Sequence, residues 1–272
     1  MSTRTTTSLY EKYAASSAEN YERYFVPVIG EPIARRLVAA ARLASGERVI
    51  DIACGTGIAA RLAASAVGPE GTVAGLDANL GMLEVARTVC PDGIEWHAAP
   101  AEAMPLPDAA FDLALCSMGL QFFTDKDQAL RETRRVLAPG GRVVWCTPGP
   151  TPPLFEAIDE ALTNHMGPGA SMFVHTVFSL HDADEARTLM KAAGFDRVNT
   201  ETTSVPLRVA SPADFFWQYV QSTPLAAAAA ELDERARTAL EAEVVQRCAP
   251  FVDGDGSVLE PGLLTVTGHR EE

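Results

Sequence analysis

No stretch of this chain reaches the roughly 18 apolar residues of a membrane span, and Met1 to Thr7 lacks the apolar core of a signal peptide. Positive charge is also scarce. Against 36 Asp and Glu there are 22 Lys and Arg, a formal net charge of −14. Nucleic acids and anionic membrane surfaces both require clustered Lys and Arg, so neither is an expected partner. Arg131, Arg134 and Arg135 read as the solvated face of a helix. Cysteines are few and unpaired in sequence: Cys54, Cys90, Cys116, Cys146 and Cys248 form an odd, widely spaced set with no C-x-x-C. That favours reduced thiols, packing as small apolar groups, over a disulfide framework or a zinc site. An internal repeat, a His/Cys/Asp constellation with metal spacing and a nucleophile elbow are absent as well. A soluble, cytoplasmic protein acting on small molecules is the expectation. Its 272 residues suit one α/β domain with an appendage.

What is present centres on Gly46 to Met82. Arg48-Val-Ile-Asp-Ile-Ala reads as a buried parallel strand, and Cys54-Gly-Thr-Gly57 follows at once. A helix over Ile58 to Val67, a break at Gly68-Pro-Glu-Gly71 and a second strand, Thr72 to Asp77, complete a βαβ unit. Its first turn is tight enough for a ligand to touch peptide groups, and Asp77 can accept hydrogen bonds from a ribose diol. Asp51 sharpens the reading. A carboxylate at the mouth of the turn repels the pyrophosphate of a dinucleotide and favours a cation. S-adenosylmethionine carries an ammonium and a sulfonium and no phosphate, so it suits the site better than NAD or FAD. The alternatives are a strand-end acid bonded to nearby N–H groups for Asp51 and a turn acid for Asp77.

Two later segments agree: Ala101-Glu-Ala-Met-Pro-Leu-Pro-Asp108 before Phe111 to Ser117, and Arg134-Arg-Val-Leu-Ala-Pro-Gly-Gly-Arg142 before Val143 to Thr147. With the first stretch they resemble the class I S-adenosylmethionine-dependent methyltransferases, in particular the small-molecule branch that includes the ubiquinone and menaquinone C-methyltransferases. The resemblance covers about residues 20 to 147. It implies a doubly wound, seven-stranded, mostly parallel Rossmann-like sheet with an antiparallel last strand, Gly262 to His269, between the fifth and sixth. Asp51 with Ala53, Cys54, Gly55, Thr56 and Gly57 would then hold the methionine part. Asp77 would take the ribose, Ala78 and Met82 the adenine faces, and Ala101 an adenine nitrogen with Glu102 close by, while Ser117 would line the site. Cys54 departs from the family's usual glycine or alanine, and Pro100 stands where many members carry an adenine-binding aspartate.

Three segments follow from this frame: a helical lid over 1–45, the cofactor domain over 46–210 and 251–272, and a helical substrate roof over 211–250. Met1 to Ser8 reads as a polar tail. Tyr10, Tyr13, Tyr21, Tyr24 and Phe25 give the N-terminal segment an aromatic face, either a lid or simple packing. Pro32 to Ala44 reads as a helix. Tyr21, Phe25, Gln121, Phe122 and Trp217 are the substrate candidates, although packing also explains Phe122 and the cluster Phe215-Phe-Trp-Gln-Tyr219. Ser171 to Phe178 reads as a loop or short strand and Phe195 to Val209 as one long strand. A sulfonium is already an activated methyl donor, so a general base is needed only for a neutral hydroxyl or acidic carbon acceptor. His165, His175 and His181 are the candidates, while His97 reads as a strand residue. The expected activity is methyl transfer to O, C or N of an apolar or aromatic metabolite. A cyclase on the same cofactor and an NAD-dependent oxidoreductase are the competing readings, and a homodimer is compatible with the sequence.

Overall fold

Chain order alternates helix and strand through most of the first 150 residues. A computed structural model describes residues 16–90 and 92–271. Tyr10, Tyr13 and the polar tail of the sequence reading lie outside the described residues. Ser16 opens a short helix α1 (Ser17–Asn20) with a capping box closed by Glu19, and a π-helical stretch, Tyr21–Gly30, runs on into α2 (Glu31–Ala41). Then come β1 (Arg48–Ile52), α3 (Ile58–Val67), β2 (Thr72–Asp77), α4 (Leu80–Val89), β3 (Ile94–Ala98), β4 (Phe111–Ser117), α5 (Lys126–Val136) and β5 (Leu137–Pro148). The rest comprises α6 (Pro153–Met166), α7 (Pro168–Val177), α8 (Ala183–Ala192), β6 (Asp196–Ser204), β7 (Leu207–Val209), α9 (Pro212–Gln221), α10 (Leu225–Ala230), α11 (Glu234–Cys248), β8 (Val252–Asp253), β9 (Gly256–Leu259) and β10 (Gly262–His269).

Contacts divide the chain into two units. The first to consider, residues 29–151, 176–205 and 261–272, carries a seven-stranded sheet in the order β3-β2-β1-β4-β5-β10-β6. Strands β1 to β5 run parallel, and β10 is antiparallel to both β5 and β6. Helices cover both faces, so the central strands are apolar throughout: Val49, Ile50, Leu113, Leu115, Val144 and Trp145 are all buried. The seven-stranded fold and the antiparallel last strand are as the sequence implied. Asp125 caps α5 through the Gln128 N–H, as its position before the helix predicts.

The other unit, described over residues 16–28, 152–175 and 206–260, is helical with a small sheet, β7-β9-β8. Here the sequence reading needs three corrections. Phe195 to Val209 is two strands in two sheets, because Pro206 has no N–H to continue a ladder. Ser171 to Phe178 is largely helix, part of α7, with Ala170, Ser171 and Val174 on its buried face. Residues 152–175, read from sequence as part of the cofactor domain, pack with the helical unit instead. Residues 211–250 form three helices, α9 to α11.

Candidate functional site

The turn after β1 is where the backbone of the sheet unit is most constrained. Ala53, Gly55 and Gly57 all hold left-handed φ, at 54°, 55° and 85°, a conformation that costs a residue with a Cβ and bends the chain back within five residues. Gly57 has a second reason to be glycine: a Cβ there would lie 2.6 Å from Trp96 Cη2 and 2.8 Å from Cys90 Sγ. The Trp96 ring on β3 therefore buttresses the turn from below. At the end of β4, Met118 is also left-handed, with φ 53°. A Cβ at Gly119 would meet the Ala53 Cβ at 2.7 Å, so the two loops are pressed together.

Two acids serve this turn. Asp51 is 1% exposed, and its Oδ2 accepts the Ala60 N–H at 2.9 Å, in the first turn of α3. Its Oδ1 is buried and has no partner. Burial lifts the carboxyl from an ordinary 3.8 to about 7, against the pull of the Ala60 hydrogen bond. Asp77, half-buried, accepts the Gly55 N–H at 2.8 Å on one oxygen and the Asn79 N–H at 2.8 Å on the other. Burial raises its pKa as well. Both acids thus bond to nearby backbone, as their bland readings had it, and both keep lone pairs beyond those bonds.

Around them the sheet unit gathers most of the remaining cofactor candidates. Cys54 is buried beside Asp51, whose charge adds to burial in raising the thiol. Thr56 is fully buried. Asn79 caps α4 by accepting from the Gly81 and Met82 N–H groups, which fixes Met82 and leaves Ala78 exposed on the preceding bend. Asn79, Trp96 and Cys90 are absent from the sequence-derived site. Only Asn79 carries a signal that could have found it, an N-cap residue immediately before an apolar helix. Ala101 is buried. Glu102 Oε1 accepts the Thr124 and Asp125 N–H groups at 3.0 and 3.3 Å, where the chain enters α5. Ser117 closes β4 and meets Cys146 Sγ at 3.9 Å.

The substrate candidates fall in both units. In the sheet unit Gln121 is buried, its Nε2 donates to the Met118 carbonyl, and its Oε1 has no partner. Phe122 is 47% exposed. In the helical unit Tyr21 and Phe25 stack with ring centroids 4.7 Å apart. Trp217 is a core residue, 1% exposed, whose indole N–H donates to Glu241 at 2.6 Å. Of the histidines, His165 bonds Glu243 at 2.8 Å and His175 bonds Asp159 at 3.0 Å, both in the helical unit. His181 Nδ1 lies 2.7 Å from the Phe178 carbonyl, in the sheet unit at the end of α7. None of the five cysteines is in a disulfide, and burial pushes Cys146 and Cys248 up to about 12 and about 11. No helix among the described residues is long and apolar enough to cross a membrane.

A sheet in this order, with a glycine turn after its central strand and an acid closing the next, is the Rossmann-like methyltransferase fold that the sequence implied. Comparison with known proteins agrees. Residues 50–145 match the family described as Methyltransferase domain. The chain is 47% identical over 105 residues to the ubiquinone/menaquinone biosynthesis C-methyltransferase UbiE of Hahella chejuensis, covering 37% of this chain and 42% of that one. It is 46% identical over 113 residues to the protein of the same name from Xanthomonas campestris, covering 40% and 45%. The matched part spans less than half the length of these relatives. Among solved structures, phosphoethanolamine N-methyltransferase 2 of Haemonchus contortus, in complex with S-adenosyl-L-methionine, has a TM-score of 0.60 at 17% identity, covering 99% of this chain and 59% of that one. The cyclase SpnF has a TM-score of 0.54 at 20% identity, covering 89% and 80%. At these identities the structures show a shared fold and nothing of the reaction.

Proposed function

We propose that this protein transfers a methyl group from S-adenosylmethionine to a small, apolar or aromatic metabolite. The observation that carries the reading is the unpartnered Asp51 Oδ1. A carboxylate buried beside a turn of bare backbone, with one oxygen unsatisfied, is destabilising until a cation or a donor reaches it. The ammonium of S-adenosylmethionine is such a group, directly or through water, and a pyrophosphate is not. The donor set therefore fits. Asp51 and the Ala53 to Gly57 turn would hold the methionine part, Asp77 the ribose hydroxyls, Ala78 and Met82 the adenine faces, and Ala101 and Ser117 the remaining wall. Glu102 is left out, because its carboxylate already serves the entry to α5.

When bound, the cofactor supplies an activated methyl group on a sulfonium. What the chain contributes is position: a rigid turn braced by Trp96 and two acids fixed by backbone hydrogen bonds, a preorganisation that removes orientational freedom before reaction. The reading favours methyl transfer over the cyclase and oxidoreductase alternatives because the matched domain and the curated relatives are methyltransferases. Its test is product analysis. Incubation with S-adenosylmethionine and a panel of small aromatic acceptors should yield S-adenosylhomocysteine and an acceptor one methyl heavier. Release of methylthioadenosine, or turnover with NAD, would contradict it.

A further inference from the structure

The connection between β3 and β4, residues 99–110, forms no helix or strand and carries Ala101, the candidate donor to the adenine ring. An irregular stretch of this length stays mobile unless its backbone is tied to something firmer. Its two halves are tied differently. In the far half, Arg135 donates to the Met104 and Leu106 carbonyls and to Asp108, and Glu132 accepts the Met104 N–H at 2.9 Å. The near half is a turn closed by the Ala103 N–H on the Pro100 carbonyl at 3.2 Å. Glu102 secures it: Oε1 accepts the Thr124 and Asp125 N–H groups, and the Glu102 carbonyl accepts Gln128 Nε2 at 3.3 Å.

Helix α5 does not need this carboxylate as a cap. Asp125 already fills that role, accepting the Gln128 N–H at 2.9 Å. What Glu102 adds is a join between two loops 22 residues apart in sequence. Beyond the join lies Met118 to Asp125, which leaves β4 with Gly119 pressed against Ala53 of the cofactor turn. It runs through a 3₁₀ turn, Leu120–Phe122, in which the Phe122 N–H meets the Gly119 carbonyl at 3.0 Å and the Phe123 N–H the Leu120 carbonyl at 3.2 Å. Gln121 Nε2 adds a bond to the Met118 carbonyl at 3.0 Å. The segment is a short, internally bonded strap. One end is fixed to the turn assigned to the methionine part, the other to the loop assigned to the adenine.

We propose that Glu102 is a positioning residue for the cofactor: its carboxylate fastens the 100–103 turn to the strap 118–125 and so holds the Ala101 N–H where the adenosine part needs it, without touching the cofactor itself. As a tie between two loops this stands on the geometry; as a cofactor-positioning role it rests on the methyl-transfer reading.

Hydrogen exchange on the full chain tests it, together with calorimetric titration of S-adenosylmethionine and of methylthioadenosine, which has the adenosine part and no amino acid. Glu102→Ala should exchange faster over both 100–103 and 118–125. It should also bind the two ligands more weakly by a common factor of about three- to tenfold, the worth of one hydrogen bond. Glu102→Gln keeps an acceptor oxygen, and should return protection and both affinities to within about twofold of the wild type. A residue that only stabilised the fold would lower the unfolding temperature and leave the affinities alone. Wild-type affinities in Glu102→Ala therefore overturn the proposal, as does faster exchange confined to 118–125 or a Glu102→Gln protein no better than Glu102→Ala. Weaker binding with exchange unchanged overturns it as well, since the carboxylate would then meet the adenosine directly. A wild type that binds neither ligand defeats the proposed function and the positioning role with it, and the exchange data alone then decide the tie between the loops.

Discussion

Asp51 has two opposed effects. Buried and raised to about 7, it favours a protonated, neutral folded state. The linkage follows from the sign: the folded chain binds this proton more tightly than the unfolded chain, so stability is highest below the ordinary value of 3.8 and falls as pH rises to about 7. Asp51→Asn should therefore be more stable than the wild type at pH 8, by up to about 4 kcal/mol if the full shift is expressed, and the gain should vanish near pH 4. Thermal unfolding at the two pH values measures this. The same substitution removes the charge that faces the ammonium. Wild-type affinity for S-adenosylmethionine should rise as pH passes upward through about 7, and Asp51→Asn should lose about tenfold or more at pH 8. Gly57→Ala should destabilise by about 1–3 kcal/mol in chemical denaturation, since both its positive φ and the space held by Trp96 and Cys90 oppose a methyl.

Between elements, side-chain networks fix segments that have little regular structure of their own. The Arg135 guanidinium on α5 donates to Glu132, Asp108 and the carbonyls of Met104 and Leu106, tying down the proline-rich loop before β4. Arg135→Ala should cost about 1–3 kcal/mol, because Glu132 is left with its charge unmatched in a largely covered place. In the helical unit Glu243 on α11 joins α6 by accepting from Arg247, Asn164 and His165, which hold its carboxyl near 2 instead of an ordinary 4.5. That stabilisation is present above pH 4.5 and is lost as pH falls toward 2. Glu243→Gln should flatten this part of the acid unfolding curve followed by circular dichroism. The alternating elements of the sheet unit were legible in sequence because parallel strands are continuous apolar runs punctuated by glycine and proline. The Asp51 and Asp77 positions were legible too, since Asp51 lies near the end of β1 and Asp77 closes β2. Their local bonds were not, nor was the brace from Trp96, which depends on which side chain lies opposite Gly57 and Gly75 across strands. The helix α7 was read as a loop or short strand, and Trp217 was left between packing and substrate contact, for a common reason: an aromatic or apolar face shows that something is covered and does not show by what.

For the whole molecule, the division into a sheet unit and a helical unit separates two kinds of information. The sheet unit carries the family pattern, and residues 50–145 suffice to match it. The helical unit lies outside that matched stretch. The most direct test of the central claim is calorimetric titration of the wild type, Asp77→Ala and Asp51→Asn with S-adenosylmethionine and, in parallel, with NAD. The account predicts one S-adenosylmethionine bound per wild-type chain, binding abolished in Asp77→Ala and weakened in Asp51→Asn, and no heat with NAD. A wild type that ignores S-adenosylmethionine, or that binds NAD in its place, would contradict it.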